Sequence, residues 1–131
     1  MFTGIVEETG ILRSLRPAPG GGGILTARCR AVLDASRIGD SIAVNGVCLT
    51  VSFLAEDGFS ADVMPETLRR SNLGLLSPGA RLNLERAMPA DGRFGGHLVT
   101  GHIDGRGSIR SVSREGNAVW YTIGCCPESC A

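Results

Sequence analysis

After the dipeptide Asn45-Gly46, apolar side chains recur at every second position: Val47, Leu49 and Val51 fall on one face, and Cys48 and Thr50 on the other. That period of two predicts a strand with one buried face. Asn-Gly marks a tight turn, because both residues accept positive φ, so residues 41–53 read as two strands joined by a hairpin. Phe59, Ala61 and Val63 alternate in the same way, which turns Asp62 and Met64 outward. Strands are also predicted over residues 1–15, bent near Gly10, over 24–30 and over 81–86. "RPAPGGGG", residues 16–23, is a loop. Residues 31–38 read as a short helix ended by Gly39. "PETLRRSNLG" reads as another, with Pro65 at its first position, Glu66 at the positive end of the dipole and Gly74 closing it. "MPADGRFGG", residues 88–96, is a linker.

The pattern then starts again. "LVTGHIDGRGSIRSV", residues 98–112, aligns with "MFTGIVEETGILRSL", residues 1–15, at an offset of 97. Thr3 matches Thr100, Gly4 matches Gly101, Gly10 matches Gly107, Arg13 matches Arg110 and Ser14 matches Ser111. Unrelated windows of this length share roughly one identity, so the match signals a duplicated folding unit. We read residues 1–95 as one complete unit and residues 96–131 as an incomplete second copy. The fold class is all-β: a six-stranded Greek-key-type barrel with short helices, followed by the start of another.

Composition narrows the partners. The 131 residues suit one ordinary core. Formal net charge is zero and no basic stripe exists to neutralise phosphates, which argues against nucleic acid. No apolar run is long enough to span a bilayer, and the N-terminus has no secretory pattern, so a cytoplasmic location is expected. In that compartment Cys29, Cys48, Cys125, Cys126 and Cys130 are expected as thiols. Neither "CCPESCA" nor "HLVTGH" has the spacing of a metal site.

Small barrels have filled interiors, so a ligand is expected on the outer wall. Alternation leaves Cys48, Thr50, Asp62 and Met64 outside, and Thr100, His102 and Asp104 on the face opposite Val99 and Ile103. Each has a duller explanation. A strand cysteine often packs as a small hydrophobe, a histidine often serves structure, Thr50 and Thr67 are common strand and helix-start residues, and Asp62 can be merely solvated.

In order, "MFTGIVE", "NGVCLTV", "MPETLRRSNLG", "LNLERA" and "GGHLVTGHIDG" resemble the riboflavin synthase family, whose members carry two homologous lumazine-binding barrels. The resemblance covers residues 1–123. It implies a transferase that dismutates two molecules of 6,7-dimethyl-8-ribityllumazine into riboflavin and 5-amino-6-ribitylamino-uracil by passing a four-carbon unit, with no metal or redox cofactor. It places substrate contacts at Phe2, Gly4, Ile5, Val6, Ser41, Leu49, Thr50, Asp62, Val63, Met64, Pro65, Glu66, Thr67, Gly101 and Ile103. Cys48 is implied as a nucleophile or polar contact and His102 as a proton shuttle. Homo-oligomers are implied: a trimer for two-barrel members, with a dimer as the alternative for a first barrel alone. Against that pattern the second copy stops after about two strands. We read "GCCPESCA" as the end of a truncated or frameshifted frame, with an evolved short form as the alternative. A non-catalytic lumazine or flavin carrier and an inactive fragment are the competing functions.

Overall fold

The computed structural model describes residues 1–93 and 95–125. Six strands close into a barrel: β1 (Glu8–Pro17), β2 (Gly23–Arg28), β3 (Ser41–Val44), β4 (Val47–Ala55), β5 (Gly58–Val63) and β6 (Arg81–Arg86), in the spatial order β1-β2-β5-β4-β3-β6. The helix α1 (Pro65–Arg70) bridges β5 and β6. A separate two-stranded sheet follows, β7 (Gly107–Glu115) and β8 (Ala118–Cys125). The all-β, barrel-plus-partial-copy architecture is the one expected.

Alternation decides what fills the barrel. Leu12, Leu25, Ile42, Val44, Val51, Phe59, Leu82 and Leu84 are all essentially inaccessible and form one cluster. Asn45 and Gly46 take φ of 51° and 83°, the conformation a two-residue hairpin demands.

Four local expectations change. The first strand begins at Glu8: the residues before it make separate bonds and no continuous ladder, Glu7 N–H donating to Leu84 O at 2.9 Å, Met88 N–H to Met1 O at 2.8 Å, and Phe2 pairing with Val99. The helix expected over 31–38 is a single 3₁₀ turn, Ala31–Leu33, held by the Glu8 carboxylate, which accepts from Arg30 N–H (2.8 Å) and Val32 N–H (3.1 Å). The second helix stops at Arg70, short of Gly74. There the Ser71 hydroxyl donates to Thr67 O at 2.5 Å and accepts from Leu73 N–H at 3.2 Å, offering the backbone a local alternative to another helical turn. Cys29 and Cys48 are free thiols as expected, but Cys125 is not: it is disulfide-bonded; Cys126, Cys130 and the "CPESCA" end lie outside the described residues.

The duplication is visible in the backbone. The β1–β2 ladder breaks register between Leu12 and Ser14, and the β7–β8 ladder between Ile109 and Ser111, the same two positions 97 residues on. Gly4 and Gly101 share φ of 81° and 78°. Thr3 Oγ1 accepts from Ile5 N–H at 3.2 Å and Thr100 Oγ1 from His102 N–H at 3.3 Å. Phe2 pairs with its own counterpart, Val99, exchanging two hydrogen bonds of 2.7 and 3.0 Å.

Candidate functional site

A slot opens where β4 and β5 part. Their ladder runs from Ala55↔Gly58 to Val51↔Ala61 and no further. In a two-residue hairpin the residues flanking the turn bond each other, and bonding alternates outward. Counted from Val44↔Val47, the main-chain groups of Cys48 and Thr50 therefore point away from β3, toward β5. The same count from Ala55↔Gly58 turns the main chain of Asp62 toward β4. Donors and acceptors of two diverging edges thus face one gap on the outside of the barrel.

The crossing segment from the second copy closes one end. Cys48 N–H donates to Gly101 O at 2.9 Å. Gly101 is buried there, and a Cβ on it would lie 2.9 Å from Cys48 Cβ and 3.0 Å from the Phe2 ring. Together with its φ of 78°, this approach requires glycine. Ile103 packs on the barrel core, leaving His102 exposed beside it. Helix α1 forms the other wall. A cavity of about 190 Å³ lies between, bounded by Val47 and Cys48 of β4, Glu66, Thr67 and Arg70 of α1, and Gly101, His102 and Ile103.

Electrostatics hold the α1 wall. Hydrogen bonds from Arg70 first, then Arg69, keep the Glu66 carboxyl below its ordinary range. Arg70 Nε lies 2.5 Å from Glu66 Oε1, and the same guanidinium reaches Asp104 O at 3.3 Å, linking α1 to the crossing segment.

The expected site residues separate into groups. Cys48, Glu66, Thr67, Gly101, His102 and Ile103 meet at the cavity. Thr50, Asp62 and Met64 are exposed along the slot edges, and Pro65 is half-buried at the helix start. Leu49 and Val63 point into the core, so only their main chain is available outside. Phe2 is buried, with its N–H and C=O both taken by Val99. Residues 4–6 and Ser41 lie elsewhere. Ile5 and Ser41 border a cleft of about 710 Å³ with Glu7 and Arg86, while Gly4 and Val6 border one of about 490 Å³ with Asn45 and Asn83. Sequence reasoning missed Arg70. Arg70 was legible as the i+4 partner of Glu66.

A family profile described as lumazine binding domain matches residues 3–87. The chain is 50% identical over 123 residues to riboflavin synthase of Bacillus subtilis, covering 94% of this chain and 57% of that protein. It is 56% identical over 124 residues to riboflavin synthase of Mycobacterium tuberculosis, covering 94% and 60%. It therefore spans little more than half the length of these relatives. Among solved structures, LumP complexed with 6,7-dimethyl-8-(1'-D-ribityl) lumazine superposes with a TM-score of 0.84 at 23% identity, over 97% of this chain and 70% of that one, a likeness of fold.

Proposed function

Because the chain belongs to the lumazine-binding domain family, we propose that its barrel seats one molecule of 6,7-dimethyl-8-ribityllumazine in the β4–β5 slot and takes part in the riboflavin synthase reaction. The observation that carries this is the pair of diverging edges, whose main-chain groups suit the amide-like rim of a pyrimidine ring. Glu66 and Thr67, which line the cavity, would bond the ribityl hydroxyls. Substrate class, residue roles and oligomer belong to this reading, as does a cytoplasmic location; among the described residues no helix is long and apolar enough to cross a membrane.

Dismutation needs two stacked lumazines and no external redox partner, since one ring donates the four-carbon unit that the other accepts. Holding the rings face to face supplies up to about 7–11 kcal/mol of the barrier. His102, at the solvent side of the cavity, would relay protons from the acidic methyl group on ring carbon 7. Cys48 would present its thiol at that carbon. By the offset of 97, residues 4–6 correspond to Gly101, His102 and Ile103. Their place is then on the second lumazine's wall, in a second repeat opening at Gly96, and their separation from Cys48 supports that. One closed barrel among the described residues holds one ring, so turnover requires a second wall, from another copy in a homo-oligomer or from a full second repeat.

Titration of purified chain with 6,7-dimethyl-8-ribityllumazine tests the reading. Growth of riboflavin absorbance establishes the enzyme. A shifted lumazine emission without product establishes a carrier, and no spectral change at all rejects the slot.

A further inference from the structure

We propose that Glu85 is a positioning residue for the Cys48–His102 cavity, acting through the N-terminal tract. Glu85 sits on the outer face of β6, yet it is only 8% exposed, because residues 3 and 4 cross over it. Its carboxylate accepts three hydrogen bonds: from Thr3 N–H at 2.5 Å, Thr3 Oγ1 at 2.7 Å and Gly4 N–H at 3.1 Å. Charge-assisted bonds of this kind are roughly twice as strong as neutral ones. A carboxylate with both oxygens engaged leaves the tract one seat.

From that seat a continuous set of bonds leads to the cavity. Phe2 exchanges its two main-chain bonds with Val99, and His97 N–H adds a third to Thr3 O at 3.1 Å. Two residues past Val99, Gly101 O takes the N–H of Cys48, and its Cα rests against Cys48 and the Phe2 ring. Residues 97–103 make no barrel-ladder pairs of their own, so the tract beneath them shares their placement over Cys48 with the Gly101–Cys48 bond and the packing of Ile103 on the core. The cavity's lining does not include Glu85, whose carboxylate bonds go to Thr3 and Gly4. Its influence is therefore indirect: it fixes the platform on which the His102 segment lies. The proposal deepens the lumazine-slot reading, but its first readout needs no ligand.

Glu85→Gln keeps the shape and removes the charge. It also turns an amide N–H₂ toward either Gly4 N–H or Thr3 N–H, a donor facing a donor. In this variant we expect the Cys48 thiol to react at least 10-fold faster with an aromatic disulfide reagent. Amide exchange at Cys48 should accelerate by a similar factor, while Val51 and Phe59 in the core keep their protection. Riboflavin, used as the fluorescent probe, should bind several-fold more weakly. Thr3→Val, which deletes one of the three bonds from the opposite side, should give the same pattern at smaller amplitude and serves if Glu85→Gln fails to fold. Unchanged Cys48 reactivity and exchange, with faster exchange at Thr3 and Gly4 alone, would overturn the coupling. So would equal loss of protection at Cys48, Val51 and Phe59, which marks general destabilisation. Failure of the unmodified chain to bind riboflavin strikes the slot reading instead and leaves the thiol and exchange readouts to judge Glu85.

Discussion

Two free thiols 19 positions apart are given opposite characters by their surroundings. Burial, and then the charges of Glu8 and Asp57, push the Cys29 thiol up to about 12, so it stays protonated and inert at neutral pH. Cys48 is half-buried at the edge of a cavity. A thiol reagent applied to the folded chain at pH 8 should therefore label Cys48 and spare Cys29, as peptide mapping by mass spectrometry would report. Label on Cys29 at a matching rate would refute the contrast. If Cys48 and His102 act on reacting atoms, Cys48→Ser and His102→Gln should lower turnover by about 10²-fold or more while lumazine affinity changes far less. Steady-state kinetics beside fluorescence titration separates the two, and unchanged turnover in both variants removes their assigned roles. Gly101→Ala tests the seat itself. A Cβ there meets Cys48 and Phe2 and holds a left-handed backbone, so a loss of about 1–3 kcal/mol is expected in denaturant unfolding.

At the level of elements, alternation made most of the barrel readable. Its β6 matches expectation to the residue, and the Asn45-Gly46 hairpin falls where its φ demands placed it. What the pattern could not show is where one carboxylate replaces a hydrogen-bonding strand. Glu8 reduces an expected helix to one turn, and Glu7 ties the N-terminal segment to β6 through Arg86. Both depend on partners 22 to 79 residues away, beyond any local window. The slot was legible as outward-facing side chains, but the divergence of β4 and β5 that makes it a slot was not. The Glu7 tie has a pH signature. Burial opposes its charge, yet hydrogen bonds from the Arg86 side chain and main chain outweigh that and hold the carboxyl below its ordinary value. A lowered folded value means the stabilisation is complete above the unfolded value of about 4.3 and disappears as pH falls through the folded one. With Arg86 39% exposed, solvent screening limits it to about 1 kcal/mol or less. Glu7→Gln should therefore narrow the difference in unfolding free energy between pH 6 and pH 3 by up to that amount, measured by urea titration at both. An unaltered difference would remove the tie from the account.

Across the whole molecule, one copy is closed and the other presents its first two strands without the rest among the described residues. The shared register break makes the consequence specific. Leu12, Leu25 and Ala27 of the first copy are buried, and the ladder positions equivalent to them are Ile109, Tyr121 and Ile123. These three are exposed by 62%, 57% and 63%, although Ile109 and Ile123 lie directly opposite each other and Tyr121 faces Val112 on the same side. A contiguous apolar face of this kind on a two-stranded sheet is marginal in water and seeks cover. In the first copy, β4, β5 and β6 supply that cover, so the β7–β8 face is shaped for strands of the same type. For the 131-residue chain alone, we expect association between copies that strengthens with concentration in sedimentation velocity. Replacing Ile109 and Ile123 together by Ser should abolish this while leaving the barrel's thermal midpoint unchanged, because neither side chain belongs to the barrel core. If the doubly substituted chain associates as before, the contact lies elsewhere. The exposed Ile5 and Val6 are then the next surface to substitute, since by the offset of 97 Val6 answers to Ile103, which packs on a barrel.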